Sequence, residues 1–94
     1  MYIDDFIWLP DMIEKIAAKH RLLQDEVEEV FFNRPVFRFV EFGYRAGEDV
    51  YAALGQTDAG RCLIVYFIYK SNRTALIVSA RDMDSKERKR YEQR

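Results

Sequence analysis

The chain is poor in the residues that most often carry redox and metal chemistry. Its 94 residues include one cysteine, Cys62, and one histidine, His20. A lone cysteine forms no intrachain disulfide and no thiolate cluster, and one histidine does not make a His/Cys zinc site. No metal site and no small-molecule cofactor is expected. Four glycines and two prolines leave room for few, short loops. There is no glycine-rich phosphate loop, no nucleophile elbow and no metal-ligand spacing, which argues against nucleotide hydrolysis, serine chemistry and metal-dependent nuclease action. Long hydrophobic runs are missing as well: the longest, Cys62 to Tyr69, is far too short to span a bilayer. The opening MYIDDFIWLPD carries two early aspartates and no basic stretch, so it does not read as a secretion signal. A cytoplasmic protein without membrane association is the expectation.

What the chain has is apolar and aromatic mass. Hydrophobic residues make up 49%, with seven Phe, six Tyr and one Trp. That suffices for one core, and a chain this short buries only about 60–65% of its unfolded surface, so residues 1–94 are read as one domain. The net charge of −1 is no footprint for general nucleic-acid binding. Its distribution says more. Residues 1–33 hold eight acidic and three basic residues, residues 34–94 eight acidic and twelve basic. A nucleic-acid-facing surface, if there is one, belongs to the second part, and Arg61, Arg81 and the 86–94 segment are expected to share it, remote from Glu26, Glu28 and Glu29.

Periodicity gives the elements. Tyr2–Trp8 is a short apolar segment suited to an edge strand. Pro10 fits a first helical turn, and Ile13, Ile16, Ala17 and His20 then recur at helical spacing. Leu23, Val27, Val30 and Phe31 repeat that spacing in a second helix, which Asn33 and Pro35 end. Val36–Phe42, Val50–Gly55, Arg61–Lys70 and Thr74–Ala80 read as strands. The third is apolar on both faces and therefore central. Ser71-Asn72 suits a two-residue hairpin loop, and Asp84 with Glu87 forms a capping box for a last, basic helix. The predicted fold is α+β: two N-terminal helices and a C-terminal helix packed on a mainly antiparallel sheet of about four strands.

Three stretches carry a family resemblance. One runs from Trp8 through Lys19-His20 to the acidic helix Asp25–Phe31. The second is Gly55-Gln56-Thr57-Asp58-Ala59-Gly60-Arg61, a turn into the central strand. The third is Ile77-Val78-Ser79-Ala80-Arg81, followed by Glu87-Arg88 and Tyr91. In this order and spacing the chain resembles the BrnT-type toxins of bacterial type II toxin–antitoxin pairs, small proteins of RelE-like ribonuclease fold. The resemblance implies a metal-independent endoribonuclease with an RNA substrate, neutralised by a small DNA-binding antitoxin protein. The chain departs from the family at two basic positions: Met12 stands where a lysine is usual, and Val50 where an arginine is. A BrnT-fold module that binds protein or RNA without cutting is the alternative implied by those losses.

Metal-free RNA cleavage needs a base for the 2′-hydroxyl, an acid for the leaving oxygen and cations for the phosphorane. The catalytic candidates are His20, Glu26 and Arg81, and the RNA-binding candidates are Arg61, Lys86, Lys89, Arg90 and Tyr91. Each has a plainer role beside it. His20 ends a helix whose dipole favours it. Glu26 sits in a solvated acidic face. Arg81 has Asp82 and Glu87 to pair with, and Arg61 has Asp58. Glu87 completes a capping box, Tyr91 is an anchor for the last helix, and that helix's Lys and Arg keep a surface soluble.

Overall fold

A computed structural model describes all residues, Met1–Arg94. The elements in chain order are β1 (Asp5–Ile7), α1 (Pro10–His20), α2 (Gln24–Phe32), β2 (Val36–Glu41), β3 (Val50–Gln56), β4 (Cys62–Lys70), β5 (Thr74–Asp82) and α3 (Ser85–Glu92). They form one five-stranded sheet in the order β1-β5-β4-β3-β2. The predicted α+β class and the central place of the 62–70 strand hold. The strand count does not: five strands are present, because Asp5–Ile7 pairs parallel to Thr74–Leu76 of β5 and so joins the sheet. The other three pairings are antiparallel.

Alternation along β4 divides the molecule into two layers of contact. Leu63, Val65 and Phe67 point to one face and pack with Ile16 of α1 and Val27, Val30 and Phe31 of α2. Ile64 points to the other face and packs with Ala52, Leu54 and Tyr91 of α3. Such two-sided burial is why the strand reads as a continuous apolar run. Gly55 lets α2 settle close on β3, since a Cβ there would come within 3.0 Å of Val30 Cγ1.

Local chemistry sets the helix ends. Pro10 occupies the first turn of α1, and Arg21 in the left-handed region (φ 52°) ends it. The chain then drops Leu22 fully into the core, while Leu23, read as part of the α2 apolar face, is 65% exposed at the N-cap. Only Ile16 of α1 is buried, and Met12 packs on the core instead of Ile13 and Ala17. The β4–β5 connection spans residues 71–73, one more than expected, with Asn72 and Arg73 both at positive φ. The capping box of α3 forms as read: Asp84 Oδ1 accepts from Glu87 N (2.8 Å) and Glu87 Oε1 from Asp84 N (2.9 Å).

Candidate functional site

A groove of about 470 Å³ runs between α3 and β2 on the face of the sheet away from α1 and α2. Its lining is wholly polar: Arg38, Asp84, Lys86, Glu87, Lys89, Arg90 and Gln93. The helical contribution is a pattern, since Lys86, Lys89, Arg90 and Gln93 stand at i, i+3, i+4 and i+7 and share one face of α3. Tyr91 turns the other way and is 5% exposed against Ala52, Leu54 and Ile64. The ring packs into the sheet contact, as an anchor for the last helix would. Arg38 was not among the residues singled out in the sequence. It sits in register opposite Ala52 and so shares the α3-side face with Val36. The alternation Val36-Phe37-Arg38-Phe39 carries that signal, as Phe37 packs into the α1/α2 core and Arg38 must point away from it.

The charge arrangement in the groove is unequal. The ion pairs of the chain are Arg61–Glu26, Arg61–Asp82, Arg73–Asp4, Arg81–Glu87 and Arg88–Glu92. Arg38, Lys86, Lys89 and Arg90 take part in none. Arg81, by contrast, is paired. Its Nη1 donates to Glu87 Oε1 (2.8 Å) and to the Asp82 carbonyl (3.1 Å), and its Nη2 donates to Glu87 Oε2 (2.9 Å) and Tyr66 Oη (3.3 Å). Four of its five N–H groups are used, so the guanidinium meets a carboxylate in the fork geometry expected for phosphate. These hydrogen bonds from Arg81, helped by the Asp84 N–H and the nearby Arg38 charge, hold the Glu87 carboxyl below its ordinary value despite its burial.

Arg61, His20 and Glu26 come together elsewhere. Arg61 follows Gly60 (φ 93°) into β4 and, two residues before Leu63, points to the α1/α2 face. Its Nη1 and Nη2 donate to the carbonyls of Arg21 (3.0 Å) and His20 (2.8 Å) at the end of α1, and Nε and Nη2 hold Asp82 (2.7 and 2.9 Å). Glu26 stands 3.8 Å away. The expected partner Asp58 is instead bound by the Asn33 side-chain amide (2.9 Å). The predicted single positive surface is therefore corrected: Arg61 and Arg81 lie on opposite faces of the sheet, and Arg61 lies among the acidic helix residues, because strand alternation separates them. His20 and Glu26 are likewise separated from Arg81. Glu26 also receives the Leu23 backbone N–H (3.0 Å), which fixes the start of α2.

Arg61 thus satisfies carbonyls that a helix C-terminus leaves unpaired. Arg61→Ala is expected to cost about 2 kcal/mol, as for hydrogen bonds to a charged group, and to lower Tm by about 8–16 °C. A thermal melt checks this, and an unchanged Tm would show that water replaces the guanidinium at no cost.

Two carboxylates are expected to contribute to the loss of stability in acid. Arg61 hydrogen bonds hold Asp82 below its ordinary 3.8, as Arg81 does Glu87 below its ordinary 4.5. A carboxyl whose folded value lies below its unfolded value stabilises the fold above the unfolded value, and that contribution is lost as pH falls through the folded one. Tm is expected to stay level from pH 7 to about 5 and to fall below about 4, with a smaller acid-induced fall in an Asp82→Asn, Glu87→Gln double variant. Melts across pH 2.5–7 measure it.

No helix is long and apolar enough to cross a membrane. Comparison with solved structures finds the crystal structure of the Brucella abortus ribonuclease toxin BrnT, with TM-score 0.63 and 20% identity over 87% of this chain and all of that one. At that identity the likeness speaks for the fold, three helices on a mixed sheet. No curated protein sequence matches the chain. The family described as "Ribonuclease toxin, BrnT, of type II toxin-antitoxin system" matches residues 8–87, which takes in α1 and α2, every strand but β1, and the capping box of α3. With the match extending over most of the chain and the fold agreeing with it, this protein belongs to the BrnT family of type II toxin–antitoxin ribonuclease toxins.

Proposed function

We propose that the protein is an endoribonuclease toxin that cleaves RNA without a metal ion at the groove between β2 and α3, and that a small DNA-binding antitoxin neutralises it by covering this basic face. The observation that carries the reading is the set of four cations with no ion-pair partner, Arg38, Lys86, Lys89 and Arg90, lining one groove around an ionised carboxylate. Unpaired cations are where a phosphate backbone gains most, since no existing pair must be broken. The family's usual lysine and arginine are replaced by Met12, which packs on the core, and Val50, half-buried in β3, so neither position supplies a cation, a loss that favours the non-cutting alternative. Charge stabilisation by lysine and arginine fits chemistry without a metal.

A second reading, a binding module without catalysis, is favoured by one more observation: the fork of Arg81 is occupied by Glu87. Expression without the neighbouring antitoxin gene, scored for growth arrest, and incubation of the purified protein with single-stranded RNA in EDTA separate the two. Arrest and EDTA-resistant cleavage are expected. Absence of both leaves the binding module. In the RNA-binding assay, neutralising Arg38, Lys89 and Arg90 together is expected to reduce the salt slope of log K by about 2, at about 0.7 per phosphate contact on a single strand. An unchanged slope would place the RNA elsewhere.

A further inference from the structure

We propose that Glu87, whose visible role is to cap α3 and brace Arg81, is the general base that takes the 2′-hydroxyl proton in RNA cleavage. The inference rests on the ribonuclease reading of the groove and names a catalytic residue for it.

The argument starts from acceptor capacity. A carboxylate offers about four lone-pair sites. Three are filled: Oε1 accepts from Arg81 Nη1 and from the Asp84 N–H, and Oε2 accepts from Arg81 Nη2. The fourth site, on Oε2, has no donor, although the side chain lines the groove and is 18% exposed. A cap and a brace do not need that site. A hydroxyl entering the groove would find it.

The surroundings suit the task. Arg81 approaches from β5, with Tyr66 of β4 on its other side; Arg38 faces from β2; Lys86, Lys89 and Arg90 come from α3, and Asp84 from its N-cap. The Arg81 hydrogen bonds, with the Asp84 N–H and the Arg38 charge, keep Glu87 ionised at neutral pH, so the base is present in its working form, though weakened. The other two carboxyl and imidazole candidates, Glu26 and His20, are grouped with Arg61 on the opposite face of the sheet, and neither lines this groove.

The step balances without a co-reactant. Oε2 accepts the 2′-hydroxyl proton as the 2′-oxygen bonds to phosphorus. The bond from phosphorus to the 5′-oxygen breaks, and that oxygen leaves with the electron pair and takes a proton from water. The hydroxide so formed removes the proton from Glu87. The products are a 2′,3′-cyclic phosphate and a 5′-hydroxyl.

The test compares Glu87→Gln and Glu87→Asp with the wild-type protein on a single-stranded oligoribonucleotide, with the 2′-deoxy oligonucleotide as control. Glutamine keeps an acceptor at Oε1 for Asp84 N–H and Arg81 Nη1, but it puts an amide NH2 where Oε2 accepts from Arg81 Nη2 and so loses the basic oxygen and half of the fork. Cleavage by Glu87→Gln is expected to fall about 10²–10⁴-fold with RNA binding held or strengthened, and its residual rate should lose the acid limb of the wild-type profile of log kcat/KM against pH. Glu87→Asp should keep that limb at a reduced rate. Glu87→Gln cleaving within about threefold of wild type would overturn the assignment and leave the ribonuclease reading intact. So would loss of cleavage in step with loss of RNA binding and of helical signal, which marks a structural brace. A wild-type protein that leaves the RNA uncut overturns both.

Discussion

Arg81→Ala is expected to slow RNA cleavage by about 10²–10³-fold and to lower stability at the same time, because one guanidinium serves both. Cleavage adds a negative charge to the phosphorane, and a fixed cation beside the attacking base is an effective way to offset it. Arg81 is fixed by Glu87, Tyr66 and the Asp82 carbonyl, and its Nε–H has no acceptor. Removing it also strips two of the three donors from the Glu87 carboxylate at the start of α3. Part of that site is solvated, so the cost should be about 1–2 kcal/mol, seen as a Tm lower by about 4–16 °C. Arg81→Lys separates the two effects. Lysine keeps the charge but not the fork, so activity should recover more than stability. Comparing kcat/KM with melting for both variants checks this. Wild-type cleavage by Arg81→Ala, with a normal melt, would remove the residue from the mechanism.

The fold was legible where one physical signal dominated. Two-sided apolarity placed Cys62–Lys70 at the sheet centre, and helical spacing with Pro10 and the Asp84/Glu87 box located three helices. Less legible were places where a tertiary contact decided. The segment 5–7 is too short to declare a partner, and only the parallel pairing with β5 makes it a fifth strand. Leu22 and Leu23 are equal in hydropathy, and the left-handed turn at Arg21 decides which is buried.

The site was legible residue by residue but not as a constellation. Lys86, Lys89 and Arg90 were named from the sequence and line one groove, while Arg81 touches it only through Glu87. Arg61 was grouped with them on charge alone, yet alternation from Leu63 sends it to the opposite face, where Asp82 holds it. Total charge by segment ignores the two faces of a sheet. Arg38 was hidden by its setting among Phe and Val, where core membership is the first reading and the strand's alternation is the correction. Glu87 shows a further limit: a capping box explains it completely as sequence, and only the count of donors around its carboxylate shows a site left over.

Phe67→Ala is expected to be the most damaging single truncation, at about 3–5 kcal/mol. Phe67 is fully buried in the middle of the central strand. It meets Phe31 of α2 edge-on at 5.2 Å between centroids, Phe37 of β2 at 5.9 Å, and stacks on Tyr51 of β3 at 6.0 Å. One ring therefore joins α2 to three strands, and alanine would leave a cavity lined by stiff aromatic neighbours that relax poorly. A domain of this size has a total stability of about 5–14 kcal/mol, so the loss is a large fraction of it, with Tm falling by about 12–40 °C. Phe67→Leu keeps most of the volume and should cost about 1–1.5 kcal/mol. The effect should reach the groove, because the neighbouring Tyr66 turns to the other face and receives Arg81. In Phe67→Leu the sheet should stay flush and cleavage should stay within severalfold of wild type. Urea denaturation of the two variants measures the difference. A Phe67→Ala protein that unfolds within about 1 kcal/mol of wild type would show that α2 closes over the gap, and that the aromatic cluster is not what joins the helix layer to the strand beneath the site.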